Sequence, residues 1–465
     1  MCENRARVRL PRLGSLFFDG LTPDGATAAR SSAQMWMALG AASLAAAAVV
    51  ALTPGRMQDY HEVREWFAAW GFGAANPYLR LDLDVDYPPH AFLLLAPIGL
   101  LPEGLGGRLA YLLFNLATTV AAAYLLVQWS AGLARVTFRP DQIRALTGMV
   151  LALGTTRASL WLGQTIALAV CLSLVSMRLA DRRPVWAALA LSLASFKPHI
   201  VVGFALILLL TGRVRLLIYA AVLSAALFTV FGLTVGSPPA EMVAIYLANL
   251  DRLYSGAAHV MSVTSLREGF DAIAGPVLGL RLHVAASAAA LAWIVFGARR
   301  GTARGGGELL VAAACLLWAL MALPHQRHSL ILLVPAWWAA IWPQTGFVGG
   351  TRTRQWIVLA AVSLTVLDLP LLLRLAGEAV ARSGTAAAAA DVLREASYDV
   401  SRCLVVVFFV LVAGSLTRRG GMDGGGRSRR WRVRPSGRPA PGRSEDRPFH
   451  SNGASSQRAL SRAVR

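Results

Sequence analysis

Apolar runs set the terms for what this chain can become. They recur at residues 33–53, 90–101, 108–129, 145–161, 164–180, 184–196, 199–211, 214–235, 284–298, 308–323, 329–343, 356–375 and 402–417. A helix crosses the hydrocarbon of a bilayer with about 20 apolar residues, and in lipid a helix satisfies its own backbone hydrogen bonds. The first run, Ala33–Thr53, is long enough to cross; several others are too short to do so alone. With 56% hydrophobic and only 15% charged residues, the 465-residue chain is excluded from the ordinary soluble domains. The pattern predicts an all-α polytopic membrane protein of about 11–13 transmembrane helices.

Three polar insertions interrupt these runs: "WLGQT" at 161–165, "SFKPH" at 195–199 and "LPHQRHS" at 323–329. Broken helices with polar residues at the break line a wet cavity rather than face lipid. Arginine clusters at 178–183, 212–215, 297–304 and 351–354 mark the cytoplasmic side under the positive-inside rule. The acidic segment 54–89, all three insertions and the long loop 236–280 then fall on the extracytoplasmic side. Loop 130–144, with Arg135, Arg139 and Arg144, takes no clear side.

Residues 1–32 form a basic N-terminal arm, 33–417 the transmembrane domain and 418–465 a basic tail. The tail carries thirteen Arg against Asp423, Glu445 and Asp446, which is +10, half the net charge of +20. Its Gly/Pro/Ser/Arg-rich text cannot bury a core, so it is expected to be disordered and to lie along anionic lipid in the cytoplasm. No folded recognition module accompanies the charge, and no specific nucleic-acid partner is expected. The first long apolar run starts only near Ala33, with no small-residue cleavage site placed to remove it, so no cleavable signal peptide is expected either. The four cysteines are scattered and read as core residues.

Several residues stand out from this background. A helix over 57–70 would align Tyr60, Val63, Phe67 and Trp70 as one stripe, with Asp59, Glu62 and Glu65 displaced from it. Such a helix lies in the membrane interface, its aromatic side in the headgroups and its carboxylates towards water or a cleft. Asp82, Asp84 and Asp86 alternate in "LDLDVD" and share one side of an extended segment as a wet rim, with Asp86, beside Tyr87-Pro88-Pro89, turned inward. Lys197 is the one lysine in a chain with 44 arginines, and it sits in an apolar context. A buried ammonium needs a partner, and a phosphate is the simplest one; His199 follows two residues later. His325, Arg327 and His328 offer a cationic, hydrogen-bonding rim, the two histidines sharing a helix face that could also supply half a metal site. Gln164, after the turn at Gly163, carries an amide that donates and accepts, suited to sugar hydroxyls. No P-loop, G-x-S-x-G, H-E-x-x-H or dinucleotide fingerprint is present.

In order along the chain stand a first span, an acid in the next outer loop, "NPY", "YPP", "LLLAPIGLLP", "LGQ", "KPH" and "PHQRHSLILLVP". That ordered set resembles glycosyltransferase family 87, polytopic enzymes of the GT-C superfamily, over about Ala33–Ala340. The resemblance implies a GT-C-type bundle whose extracytoplasmic first loop carries interfacial helices. It also implies a metal-independent, inverting transfer of a sugar, with mannose the expected one. The donor would be a polyprenyl-phosphate sugar and the acceptor a hydroxyl of a glycolipid or glycan, with no cofactor. Asp59 would be the general base, with Asp86 as the alternative. Lys197, His328 and Arg327 would hold the donor phosphate, with His325 the alternative to His328. Gln164, Asp86, Tyr87, His325 and His199 would face the sugar or acceptor. The protein would be multi-pass in the cell membrane among its lipids, with both termini cytoplasmic. A transporter or flippase of a lipid-linked sugar, binding through Lys197 and the carboxylates without reacting, is the competing class, and a membrane scaffold anchored by its tail a third. Polar insertions gathered on one side favour the enzyme, because a transporter needs its polar groups reachable from both.

Overall fold

Ala- and Leu-rich runs with no water to satisfy their backbone have one local solution, and in the computed structural model every regular element among the described residues is a helix. These are residues 29–419 apart from 54, 72–74, 256–264, 302–306, 343–344, 346, 348–368 and 383–386. The N-terminal arm up to residue 28, the tail from residue 420 and most of the apolar run 356–375 lie outside them. In chain order the helices are α1 (Ala29–Leu52), α2 (Gln58–Trp70), α3 (His90–Gly99), α4 (Leu105–Ala134), α5 (Pro140–Leu151), α6 (Gly154–Leu162), α7 (Ile166–Leu179), α8 (Pro184–Ala194), α9 (Pro198–Leu210), α10 (Val214–Thr234), α11 (Pro239–Ser255), α12 (Leu266–Gly301), α13 (Gly307–Ala322), α14 (Val334–Ile341), α15 (Leu369–Arg382) and α16 (Ala387–Arg419). Short 3-10 segments at Pro77–Leu79 and Arg327–Leu333 complete them.

Among the described residues five helices are long and apolar enough to cross a membrane: α1, α4, α10, α12 and the Asp399–Thr417 part of α16. A sixth arises if α6 and α7, bent by 115° at the Gly163 break, count as one span. Among the other described apolar runs, α3, α8, α9 and α13 are helices of 10–17 residues, and the expected 11–13 spans include such shorter segments. Proline starts α8 and α9, where its missing N–H costs nothing. The break between them is the "SFKPH" insertion; the break between α13 and the 3-10 segment at Arg327–Leu333 is "LPHQRHS".

Ion pairs show which helix ends meet. Arg135, just past α4, pairs with Glu308 at the start of α13 at 2.6 Å. Arg213 after α9 pairs with Asp181 after α7 at 2.7 Å, and Arg178 Nη1 donates to Gln128 Oε1 at 2.9 Å. The beginning of loop 130–144 therefore sits with the arginine-rich ends. From there α13, 16 residues long, rises about 24 Å to the "LPHQRHS" break, which lies at the opposite end. At that opposite end Arg108 of α4 donates to Ala51 O and Thr53 O, at 2.9 and 2.8 Å, closing α1 onto α4. Helices α1 and α5 cross at glycines: a Cβ on Gly148 would lie 2.6 Å from the Trp36 carbonyl, so a larger residue would force the pair apart.

Two expectations change. The aromatic side of α2 does not face headgroups. Tyr60, Val63, Trp66, Phe67 and Trp70 are buried in protein, where Trp66, Phe67 and Trp70 pack on Phe92 of α3 and Trp70 also meets Phe231 of α10. Burying such rings contributes about 1.5–3 kcal/mol each. Of the cysteines, Cys315 is buried, but Cys171 is only partly so and Cys403 is exposed on its helix.

Candidate active site

Asp59 is placed by the turn that precedes it. Met57 adopts a left-handed conformation (φ 60°), and its N–H donates to Trp161 O at 3.0 Å, tying the start of α2 to the end of α6. Tyr60 stacks on Tyr111 of α4 at 5.1 Å and donates to Pro102 O at 2.9 Å. Asp59, on the first turn, is thereby fixed at a buried position (7% exposed) beside the α6–α7 break.

That break needs its glycine. Gly163 ends α6 at φ 73°, and a Cβ there would lie 3.2 Å from Tyr111 Cε1 and 3.3 Å from Met57 Cα. Tyr111 also donates to the Gly163 carbonyl. Gly163→Ala is expected to cost on the order of 1–3 kcal/mol and to displace Gln164, seen as a lower unfolding midpoint and a large loss of turnover. Gly55→Ala is the control, since Gly55 has the same φ of 73° but nothing within 4 Å of its Cβ position. Equal effects from the two substitutions would leave Gly163 without a packing role.

Around Asp59 the polar groups form one chain of contacts. Gln164 Nε2 donates to Asp59 Oδ1 at 2.5 Å. On its other side, Gln164 Oε1 accepts from Lys197 Nζ at 3.3 Å. Tyr87 OH donates to Asp59 Oδ2 at 3.2 Å and lies 3.1 Å from Thr165 Oγ1, which is then its donor. The Lys197 ammonium sits 4.0 Å over the Tyr87 ring, a cation–π contact strengthened by exclusion of water. Residues from all three sequence breaks and from the 81–89 segment enclose a cavity of about 340 Å³ against α2. Burial pushes the Asp59 carboxyl up to about 8; Lys197 pulls against this, and Glu62 and Asp86 add to it. Burial likewise raises Glu62. His325, in the loop after α13, is held down at about 4 by burial and is uncharged at neutral pH.

Asp59, Asp86, Tyr87, Gln164, Lys197, His199, His325 and His328, all singled out in the sequence, line this one cavity. Asp86 is half-buried and Asp82 and Asp84 are exposed; Asp84 and Asp86 line the cavity, whereas Asp82 lies in a turn paired to Arg80 at 2.6 Å and does not join them. Arg327 has its backbone in the 3-10 segment, and its side chain lies outside the described residues. Sequence reasoning missed Thr165, which meets Tyr87, and the lining residues Phe196, Gln326 and Leu253, and it left Glu62 and Asp84 to solvent although both line the cavity. Thr165 was within reach as the neighbour of Gln164; Tyr111 sits inside an apolar run that carries no signal. Among the described residues no three His, Cys, Asp or Glu side chains are grouped as metal donors.

A bundle of long apolar and broken helices, with a buried carboxylate and a buried lysine lining one cavity, defines a polytopic helical membrane protein. The chain belongs to glycosyltransferase family 87, whose pattern matches residues 86–324, half of the chain, and it is thus a membrane glycosyltransferase. The match takes in Asp86, Tyr87, Gln164, Lys197 and His199; Asp59, His325 and His328 lie just beyond its ends and join the site through the fold. No curated protein and no solved structure matched the chain.

Proposed function

We propose that the protein transfers a sugar, mannose in the first instance, from a polyprenyl-phosphate donor to a hydroxyl of a lipid- or glycan-linked acceptor. The observation that carries this reading is the Asp59–Gln164–Lys197 bridge: a carboxylate to accept a proton and an ammonium to receive an anion, held apart by one amide. Asp59 takes the proton of the acceptor hydroxyl as its oxygen bonds to the anomeric carbon. The bond from that carbon to the phosphate oxygen breaks, and its electron pair leaves with the polyprenyl phosphate, which gains a second negative charge. Lys197 is placed to offset that charge, and hydrogen-bond donors aimed at developing charge in a dry site act most strongly. His328 joins Lys197 at the phosphate, and Asp86, Tyr87, His199 and His325 face the sugar or acceptor. Asp59 is favoured over Asp86 as base because it is the more buried and the better fixed. The inverting outcome follows if attack and departure occupy opposite faces of the sugar.

The arginine-rich helix ends lie away from the cavity, which supports a cytoplasmic arginine side and an extracytoplasmic site in the cell membrane. The test is direct. Full-length protein in liposomes receives radiolabelled polyprenyl-phosphate mannose and a lipid extract, and a new labelled glycolipid is expected. Label that changes leaflet without changing compound would identify a flippase instead.

A further inference from the structure

Behind the residues that line the cavity lies a second polar cluster, which the proposed transfer leaves unused. His90 opens α3 and is buried, 6% exposed. Ser195 follows α8 in the "SFKPH" break, and Ser192 and Ser224 sit on α8 and α10. None of the four lines the cavity. His90 Nε2 and Ser195 Oγ are 2.9 Å apart. Ser195 Oγ donates to Ser192 O at 2.6 Å, and Ser224 Oγ donates to Ser192 Oγ at 3.0 Å. A hydroxyl has one proton to give. With the Ser195 proton on the Ser192 carbonyl, the 2.9 Å contact is a bond from His90 Nε2–H to Ser195 Oγ.

Both ends of that bond are joined to the site by short, stiff backbone. From His90 the chain runs back through Pro89 and Pro88, whose rings fix φ, to Tyr87. From Ser195 it turns through Phe196 to Lys197, whose N–H donates to Ala194 O at 3.1 Å. Tyr87 and Lys197 then meet again at the cavity, the ammonium 4.0 Å over the ring. The Tyr87 and Phe196 rings lie 5.9 Å apart between the two contacts. The side-chain bond from Lys197 to Gln164, at 3.3 Å, is long, so the place of the ammonium depends on the backbone that carries it.

We propose that His90 and Ser195 are positioning residues, whose bond sets the separation of the Tyr87 ring and the Lys197 ammonium and so how strongly that ammonium acts on Asp59 and on the departing phosphate. The effect on transfer rests on the donor and base proposed above; the setting of Lys197 against Tyr87 does not. Neither residue touches substrate. Without the bond the break between α8 and α9 can draw Lys197 away from the ring, and the burial that raises the Asp59 carboxyl then meets less opposition.

Two measurements on the full-length protein test this. Lys197 is the one lysine of the chain, so protein made with 13C-labelled lysine in detergent micelles gives a single lysine side-chain resonance. The Tyr87 ring should shift its Hε protons upfield, and Tyr87→Leu should remove the shift. His90→Leu and Ser195→Ala should each lose most of it, whereas His90→Gln, whose amide can donate as Nε2 does, should keep it. A shift that survives the loss of the bond overturns the proposal, and Ser195→Ala, which removes little volume, decides the matter if His90→Leu does not fold. In liposomes with polyprenyl-phosphate mannose, His90→Leu and Ser195→Ala should each lower kcat about tenfold. They should also move the rise of rate with pH to higher pH, and His90→Gln should restore both properties. The double variant should lose no more than the larger single loss; additive losses would mean that the two residues do not act through one bond. A lower unfolding midpoint with kcat and the pH profile unchanged would assign the cluster to stability alone and sink the proposal. A wild-type protein inactive with this donor would instead defeat the proposed function, and the lysine resonance would still decide whether the bond sets Lys197.

Discussion

Asp59→Asn is expected to lower transfer by about 10²–10⁴-fold, the range that a general base supplies, while the protein still folds and binds donor. The substitution keeps the shape of the side chain, removes its ability to take a proton and exchanges one accepting oxygen for a donor, which the Tyr87 hydroxyl can receive by turning its own proton to Thr165. Its effect on stability runs the other way. The carboxyl rises from an ordinary value of 3.8 to about 8 in the fold, so between those pH values the native state holds a proton that the unfolded chain has lost. Stability contributed by the group is fully present below pH 3.8, declines as pH rises and is gone above about 8. Asp59→Asn has no such decline, so its unfolding midpoint should exceed that of the wild type by a margin that widens from pH 6 to pH 9. The rate profile follows from the same proton. Wild-type turnover should rise with pH to a plateau above about 8, as Asp59 becomes free to act as base, and the residual activity of the variant should lack that limb. Near-normal transfer by the variant would return the role of base to Asp86.

Much of this site was readable because polar residues in oily helices are costly and so conspicuous. Gln164, Lys197 and the histidines announced themselves at the three breaks, and a lone lysine among 44 arginines pointed to an anion before any fold was known. What no local pattern held was the meeting of these groups. Asp59 and Gln164 are 105 positions apart, and they are joined by a backbone bond from Met57 to Trp161 between residues with no distinguishing chemistry. The aromatic stripe on α2 failed for a related reason. Periodicity identifies an apolar face but not its partner, and Phe92 and Phe231 take the place assigned to lipid headgroups. What hydropathy does not register is how short helices meet, because it reads length and composition and is blind to a 115° turn. The family match covers residues 86–324, the stretch that holds the first two of the three breaks.

Lys197→Gln is expected to act on both ends of the reaction, and this separates it from every other substitution in the cavity. Losing a preorganised donor to the developing charge costs about 10²–10³-fold in kcat. The replacement amide can still donate to Gln164 Oε1, so the change is one of charge more than of packing. Lys197 is also the main influence that lowers the Asp59 carboxyl against its burial. With it neutralised, the acid limb of the pH profile should move to higher pH, so that part of the lost rate returns in alkaline buffer. Gln164→Ala gives the complementary result. It leaves the ammonium in place but removes the 2.5 Å donor to Asp59, so the limb should again move upward with the donor KM little changed. If Gln164 binds sugar hydroxyls instead, the acceptor KM should rise and the limb should stay where it was. Were the limb unmoved in Lys197→Gln as well, Asp59 and Lys197 would not share a field, and the single chamber holding base and phosphate together would have to be given up.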